Sequence, residues 1–174
     1  MIASIYKYGS SVLRKKSAEI SEKEDFVLLS ENLFETLSNS NGIGLAGPQI
    51  GVLKRIFVID TSLITQKDNS IETIKQVYIN PSIVWRSEEL IVYSEGCLSI
   101  PEIYEEVERP ERIRVKYHDL QFSSIEKELE GLEARIFQHE FDHLIGVLFI
   151  DRINPLKRIQ LASKLKKIVK ASKK

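Results

Sequence analysis

His139, Glu140 and His143 stand together in 138-QHEFDHLIGVLF-149, in the pattern H-E-x-x-H. On a helix, positions i and i+4 share one face. Two imidazoles so placed grip one metal ion, and a glutamate beside the first sits near the ion's open side as a general base. A catalytic site of this kind takes three protein ligands and keeps a fourth position for water. Downstream of His143 the third ligand is missing. The longer pattern H-E-x-x-H-x-x-G-x-x-H is followed through Gly146, but Phe149 stands where its last histidine belongs. No glutamate follows Glu140, and Asp151 is the only carboxylate beyond Asp142. The search therefore moves upstream, to Cys97, His118 and the carboxylates there. Cys97 is the strongest candidate. It lies in 95-EGCLSIP-101, where an apolar strand meets a glycine and then a proline-fixed bend. A thiolate with two imidazoles suits a borderline-soft divalent ion, namely Fe, Zn, Ni or Co. His118, in KYHDL, fits a strand end better.

The elements that must hold these groups are legible in outline. Leu132, Ile136, Phe137, Phe141, Leu144 and Ile145 nearly encircle a helix running from about Lys127 or Gly131 to Gly146. A helix apolar almost all round is buried, so its His, Glu and Asp side chains need partners. Upstream, Ser21 to Glu24 reads as a capping box. It precedes Phe26, Leu29, Leu33, Phe34 and Leu37 at helical spacing, and Ser40-Asn41-Gly42 should end that helix, with glycine taking the left-handed turn. Short β-rich runs follow at 55–60, 76–80, 82–85, 90–95 and 112–118, with a turn at Asn80-Pro81. Residues 61–73 read as a polar loop, and VLFI (147–150) as a short strand. Asn154-Pro155 opens a last helix striped with Leu161, Leu165, Ile168 and Val169. The expected class is α+β: antiparallel or mixed sheets around a central helix carrying H-E-x-x-H. The expected organisation is one catalytic domain over 1–174, with about 155–174 forming a basic amphipathic helix.

Bulk composition narrows the function classes. The chain has 174 residues, 43% of them apolar, enough for one real core. Lys plus Arg equals Asp plus Glu at 25 each, so net charge gives no reason to expect a DNA partner. The balance is uneven locally, because residues 156–174 hold eight Lys or Arg and no acid. No run approaches signal-peptide or membrane-spanning character. The single cysteine excludes an internal disulfide and points to a reducing cytoplasm.

Three separated motifs, 42-GIGLAGPQ-49, 95-EGCLS-99 and 139-HEFDH-143, together and in this order resemble the peptide deformylases. The resemblance runs from YGSSVLRKKS to Asp151. It implies removal of the formyl group from the N-terminal methionine of nascent polypeptides. It also implies metal ligation by Cys97, His139 and His143, with Fe2+ as the usual ion. In the chemistry so implied, a metal-activated hydroxide attacks the formyl carbon and Glu140 is the general base. Gln49 and the backbone N–H of Leu98 would stabilise the oxygen on which charge develops. Gly42 and Gly44 would permit positive φ and let the backbone approach the substrate as an extra strand, and Gly96 would also bind substrate. Ile43 and Leu132 would line a pocket for the methionine side chain. Glu95 with Arg109 would form a structural ion pair, and Asp142 would orient a neighbour.

Two departures from the family pattern stand out. Gly47 replaces the alanine of GLAAPQ or GLAATQ, and Tyr104 stands seven residues after Cys97, where an arginine that contacts the substrate backbone is frequent. The competing readings are an H-E-x-x-H peptidase cleaving internal amides, and a catalytically silent, metal-stabilised module on the ribosome. The absence of a downstream ligand and the presence of EGCLS argue against the first. The full set of chemical residues argues against the second. The basic C-terminal helix would itself be drawn to ribosomal RNA phosphate.

Overall fold

Ile56–Asp60 alternates between two partners, and that alternation organises the molecule. The structure is a computed structural model that describes residues 1–68 and 72–172. Its main sheet has five strands in the order β1-β2-β3-β6-β7: β1 (Gly44–Ala46), β2 (Ile56–Asp60), β3 (Lys75–Arg86), β6 (Arg112–His118) and β7 (Ser124–Glu130). All neighbours are antiparallel. A separate hairpin joins β4 (Leu90–Cys97) to β5 (Ile100–Pro110). Successive side chains on a strand point to opposite faces. Phe57 and Ile59 therefore enter one core with Ile136, Phe137 and Leu144 of the central helix α3 (Gly131–Leu144). Ile56 and Val58 enter another with Phe26, Leu33 and Leu37 of α1 (Phe26–Asn39). A third core sets Ile103 and Val107 of β5 against Leu161 and Leu165 of α4 (Pro155–Ala171). The class expected from the sequence is the one observed.

Aromatic packing locks α3 to the sheet. The Phe137 ring meets Phe57 edge-on at 5.0 Å and Tyr78 edge-on at 5.0 Å. Such pairs add about 0.5–1.5 kcal/mol beyond area burial. Among the described residues, no helix is long and apolar enough to cross a membrane.

Several local expectations are corrected. Glu24 does accept from the Ser21 N–H at 2.8 Å, but α1 starts later, capped by Asp25 Oδ1 on the Leu28 N–H at 3.0 Å. The left-handed residue after α1 is Asn41 (φ 54), not Gly42. Residues 76–85 form one strand, because Asn80 absorbs the irregularity at φ 49 while its amide bonds both the N–H and C=O of Ile20 at 2.8 Å. Within 61–73 a short helix α2 (Ser62–Thr65) forms, and 69–71 lie outside the described residues. The strands β5 and β7 were not anticipated. The central helix begins at Gly131 (φ 56), since Ser124–Glu130 pairs along β6 instead. VLFI forms no strand: Phe149–Asp151 is a 3-10 turn, with Asp151 Oδ2 accepting from the Leu148 N–H at 2.8 Å.

Candidate active site

The helix α3 carries Arg135, His139 and His143 down one face, with Glu140 beside them. His139 and Glu140 reach a cavity of about 640 Å³. Cys97 comes from the hairpin. β4 and β5 pair in register from Leu90–Pro110 to Gly96–Tyr104, and the register breaks at Cys97–Ile100. That break turns the thiol toward the helix. Cys97 Sγ lies 3.3 Å from His143 Nε2. The donor atoms of Cys97, His139 and His143 all fall within 4.8 Å of one another.

One cysteine sulfur and two imidazoles crowded this closely could hold a divalent ion and leave its fourth position open. The fit extends to the surroundings. His139 Nδ1 lies 3.0 Å from Glu95 Oε2, which leaves Nε2 as the ring's remaining donor. Burial lowers the His139 pKa, but hydrogen bonds with Cys97 and Glu95 outweigh it and raise the group well above its ordinary value. Burial, reinforced by the charge of His139, pulls His143 well below its own.

Glu140 is buried, and its Oε2 has no hydrogen-bond partner among the described residues. Burial pushes its pKa up to about 7, with His139 pulling down and Glu95 pushing up. The carboxylate packs straight onto the backbone of β1, because a Cβ on Gly44 would overlap Glu140 Oε1. Close approach is thus the reason for this glycine. Neither Gly42 nor Gly44 has positive φ, contrary to expectation.

Gln49 sits buried in the 3-10 turn Gly47–Ile50. Its Oε1 accepts from the Ala46 N–H at 2.8 Å, so the amide NH2 must face the other way. There Nε2 points to Ser99 Oγ at 3.2 Å and Cys97 Sγ at 3.5 Å. The cavity wall also includes Leu98, Gly96, Ile43, Gly44 and Leu132. Every substrate-side residue named from the sequence therefore lines one space. The Tyr104 ring is exposed and lies over Gly96, where a Cβ would collide with it. Gly47 faces the carbonyl oxygens of Val52 and Lys54, and its Cβ would meet the first at 2.7 Å.

Behind the ligands lies a charge network larger than the pair anticipated. Arg109 bonds Glu95 through Nε at 2.6 Å and Nη2 at 2.9 Å, and Asp142 through Nη1 at 2.7 Å. Asp142 is further held by Arg152, so it orients Arg109 from beneath the helix. Arg135 adds a bond to Glu95 Oε1 at 2.9 Å and to the Val107 carbonyl at 2.9 Å. Sequence reasoning missed Arg135, although its place one turn before His139 on the same face was a usable signal. It also missed Ser99 and its bond to Gln49. The rejected ligand candidates have other tasks. Asp151 pairs with Arg14 and Arg158, and His118 stacks on Phe122 at the end of β6.

A family model described as Polypeptide deformylase matches residues 2–159. The chain belongs to that family. A peptide deformylase of Thermodesulfovibrio yellowstonii is 48% identical over 166 residues, covering 95% of this chain and 97% of the relative. One of Pseudothermotoga lettingae is 42% identical over 175 residues, covering 100% and 96%. The crystal structure of peptide deformylase from Thermus thermophilus superposes with a TM-score of 0.87 at 40% identity, covering 99% of each chain. Peptide deformylases are metalloenzymes, which agrees with the Cys97, His139 and His143 cluster. The chain is a hydrolase of this family, and its reaction takes the formyl group from the N-terminus of nascent peptides.

Proposed function

We propose that Cys97, His139 and His143 hold one divalent ion, Fe2+ in the native enzyme, and that Zn2+, Ni2+ or Co2+ can replace it at this donor set. The whole chain then acts as one catalytic unit. The observation that carries this reading is the buried Glu140 carboxylate, which has one oxygen unpartnered among the described residues and lines the cavity with Cys97 and His139, His143 closing the cluster beside them. The bound ion supplies the Lewis acidity that makes hydroxide available near neutral pH.

The chain's own groups do the rest. Glu140 takes a proton from the attacking water at its free oxygen and delivers it to the leaving amine. Gln49 Nε2 and the Leu98 N–H donate to the formyl oxygen as its negative charge grows. Gly44 and Gly96 both line the cavity, and a peptide lies along the backbone there as an added strand. Ile43 and Leu132 receive the methionine side chain.

The exposed Lys164, Lys166, Lys167 and Lys170 project from α4, while Leu161 and Leu165 anchor that helix in the core. This arrangement supports docking on the phosphate-rich ribosome surface, where formylated chains emerge in the cytoplasm. The test uses protein purified without oxygen. Formate release from formyl-Met-Ala-Ser, together with about one metal per chain, is the expected result. Cleavage of unblocked peptides instead would overturn the reading in favour of a peptidase.

A further inference from the structure

The two oxyanion donors proposed above sit on stretches of chain remote from one another. Gln49 lies in the turn after β1, and Leu98 at the β4–β5 junction. Three consecutive residues of the N-terminal segment touch both stretches. The Tyr6 N–H donates to the Gln49 carbonyl at 2.8 Å, and the Tyr8 N–H donates to the Ser99 carbonyl at 2.8 Å. Between them, Lys7 Nζ donates to the Leu98 carbonyl at 2.8 Å. On the inner side, Gln49 Nε2 reaches Ser99 Oγ at 3.2 Å. The contacts close a ring: residue 49, residues 6 to 8, residues 98 and 99, and back to residue 49.

We propose that residues 6–8 are a strap that sets the spacing of the two donors, and that Lys7 is its positioning residue for the deformylation reaction. The inference rests on the donor roles given above to Gln49 and Leu98. The physical argument is local. The Leu98 N–H and C=O flank one Cα, so a bond that pins the carbonyl also limits rotation of the N–H beside it. The bond from Lys7 is charge-assisted and partly buried, hence stronger than a neutral one. The strap's two backbone bonds do not depend on side-chain identity. The central one does. Lys7 also borders the cavity, but its ammonium is committed to the Leu98 oxygen.

Misplacement of a donor costs less than its deletion, which typically lowers rate about 10²–10³-fold. In the metal-loaded full chain acting on formyl-Met-Ala-Ser, Lys7→Met should lower kcat about tenfold and leave KM within about twofold. Metal content and the circular-dichroism spectrum should stay those of the parent. Lys7→Arg, which keeps a charged donor, should restore kcat to within about threefold of the parent. Lys7→Gln, with a neutral and shorter donor, serves the same comparison if the methionine variant does not fold. A Lys7→Met kcat within about twofold of the parent overturns the inference. So does an arginine variant as impaired as the methionine one. A raised KM with kcat intact would make Lys7 a substrate contact, which overturns it too. Gln49→Leu separates the two levels. If that variant keeps full activity, the donor reading itself fails. If it is crippled while Lys7→Met is not, only the strap fails.

Discussion

His139 Nδ1 and Glu95 Oε2 stand 3.0 Å apart, and Arg109 grips the same carboxylate from its other side. Glu95 therefore engages one nitrogen of the ring proposed as a metal ligand and fixes its tilt, while being held rigid itself. Such outer partners are worth about 10–100-fold in metal affinity. Glu95→Gln should weaken metal binding by that factor, measured by competition with a chelator of known affinity. It should also destabilise the fold by about 3–5 kcal/mol, because Arg109 and Arg135 lose a buried counter-charge. Unchanged metal affinity would remove Glu95 from the metal site.

Cys97→Ser, His139→Ala and His143→Ala should each lose stoichiometric metal, since two remaining ligands hold a divalent ion poorly. Cys97→Ser is the discriminating variant. Full occupancy in it, by elemental analysis, would return attention to Asp151 despite its engagement by Arg14 and Arg158.

Glu140→Ala should keep its metal and lose about 10²–10⁴ in kcat. Gly44→Ala should reproduce part of that loss from the opposite side, because the new methyl displaces the carboxylate. At least about tenfold in kcat with metal retained is expected. A fully active Gly44→Ala enzyme would mean that Glu140 acts from another position.

Asp151 links pH to stability. Burial pushes its carboxyl up, but hydrogen bonds from Arg14 and the Leu148 N–H outweigh burial and hold it below the usual carboxylate range. A carboxyl with a depressed folded pKa contributes stability that is fully present above its unfolded value, about 3.9, and lost as pH falls through the folded one. Asp151→Asn should lower the urea-unfolding free energy by about 1–2 kcal/mol at pH 7. The gap from the parent should narrow below about pH 4. An equal gap at pH 7 and pH 3 would assign the loss to packing.

Replacing Lys164, Lys166, Lys167 and Lys170 together by glutamate leaves the anchoring Leu161 and Leu165 in place. Activity on a short formyl peptide should persist, while co-sedimentation with ribosomes at low salt should fall steeply. Equal co-sedimentation by both proteins would leave α4 a structural role alone.

Much of this site could be read from the sequence because its chemistry is local. His139, Glu140 and His143 share one turn of helix, and Cys97 was reached by excluding downstream ligands. The harder parts were set by distant pairing. IEKELE (125–130) is rich in helix formers, yet β6 recruits it as a strand with Leu129 inward, and Gly131 at φ 56 marks the switch to helix. IPEIYEEVERP (100–110) was hidden by its acidic residues, since the position that alternates inward beside Val107 is the buried cation Arg109. VLFI looked like a strand because four apolar residues do not reveal that an aspartate will close them into a turn. Arg135 and Lys7 were missed because a lone cation on a helix or near a terminus is ordinarily solvated.

The contact between Gly44 and Glu140 also bears on how this enzyme can diverge. Hydrogen is the smallest substituent there is, so residue 44 offers no gradual series of replacements by which the cavity could be reshaped. On that wall, drift is closed. Leu98 and Tyr104 also line the cavity, but both retain some solvent exposure. Any change in which residues are favoured after the leading methionine therefore has room at those two positions, while residue 44 stays as it is.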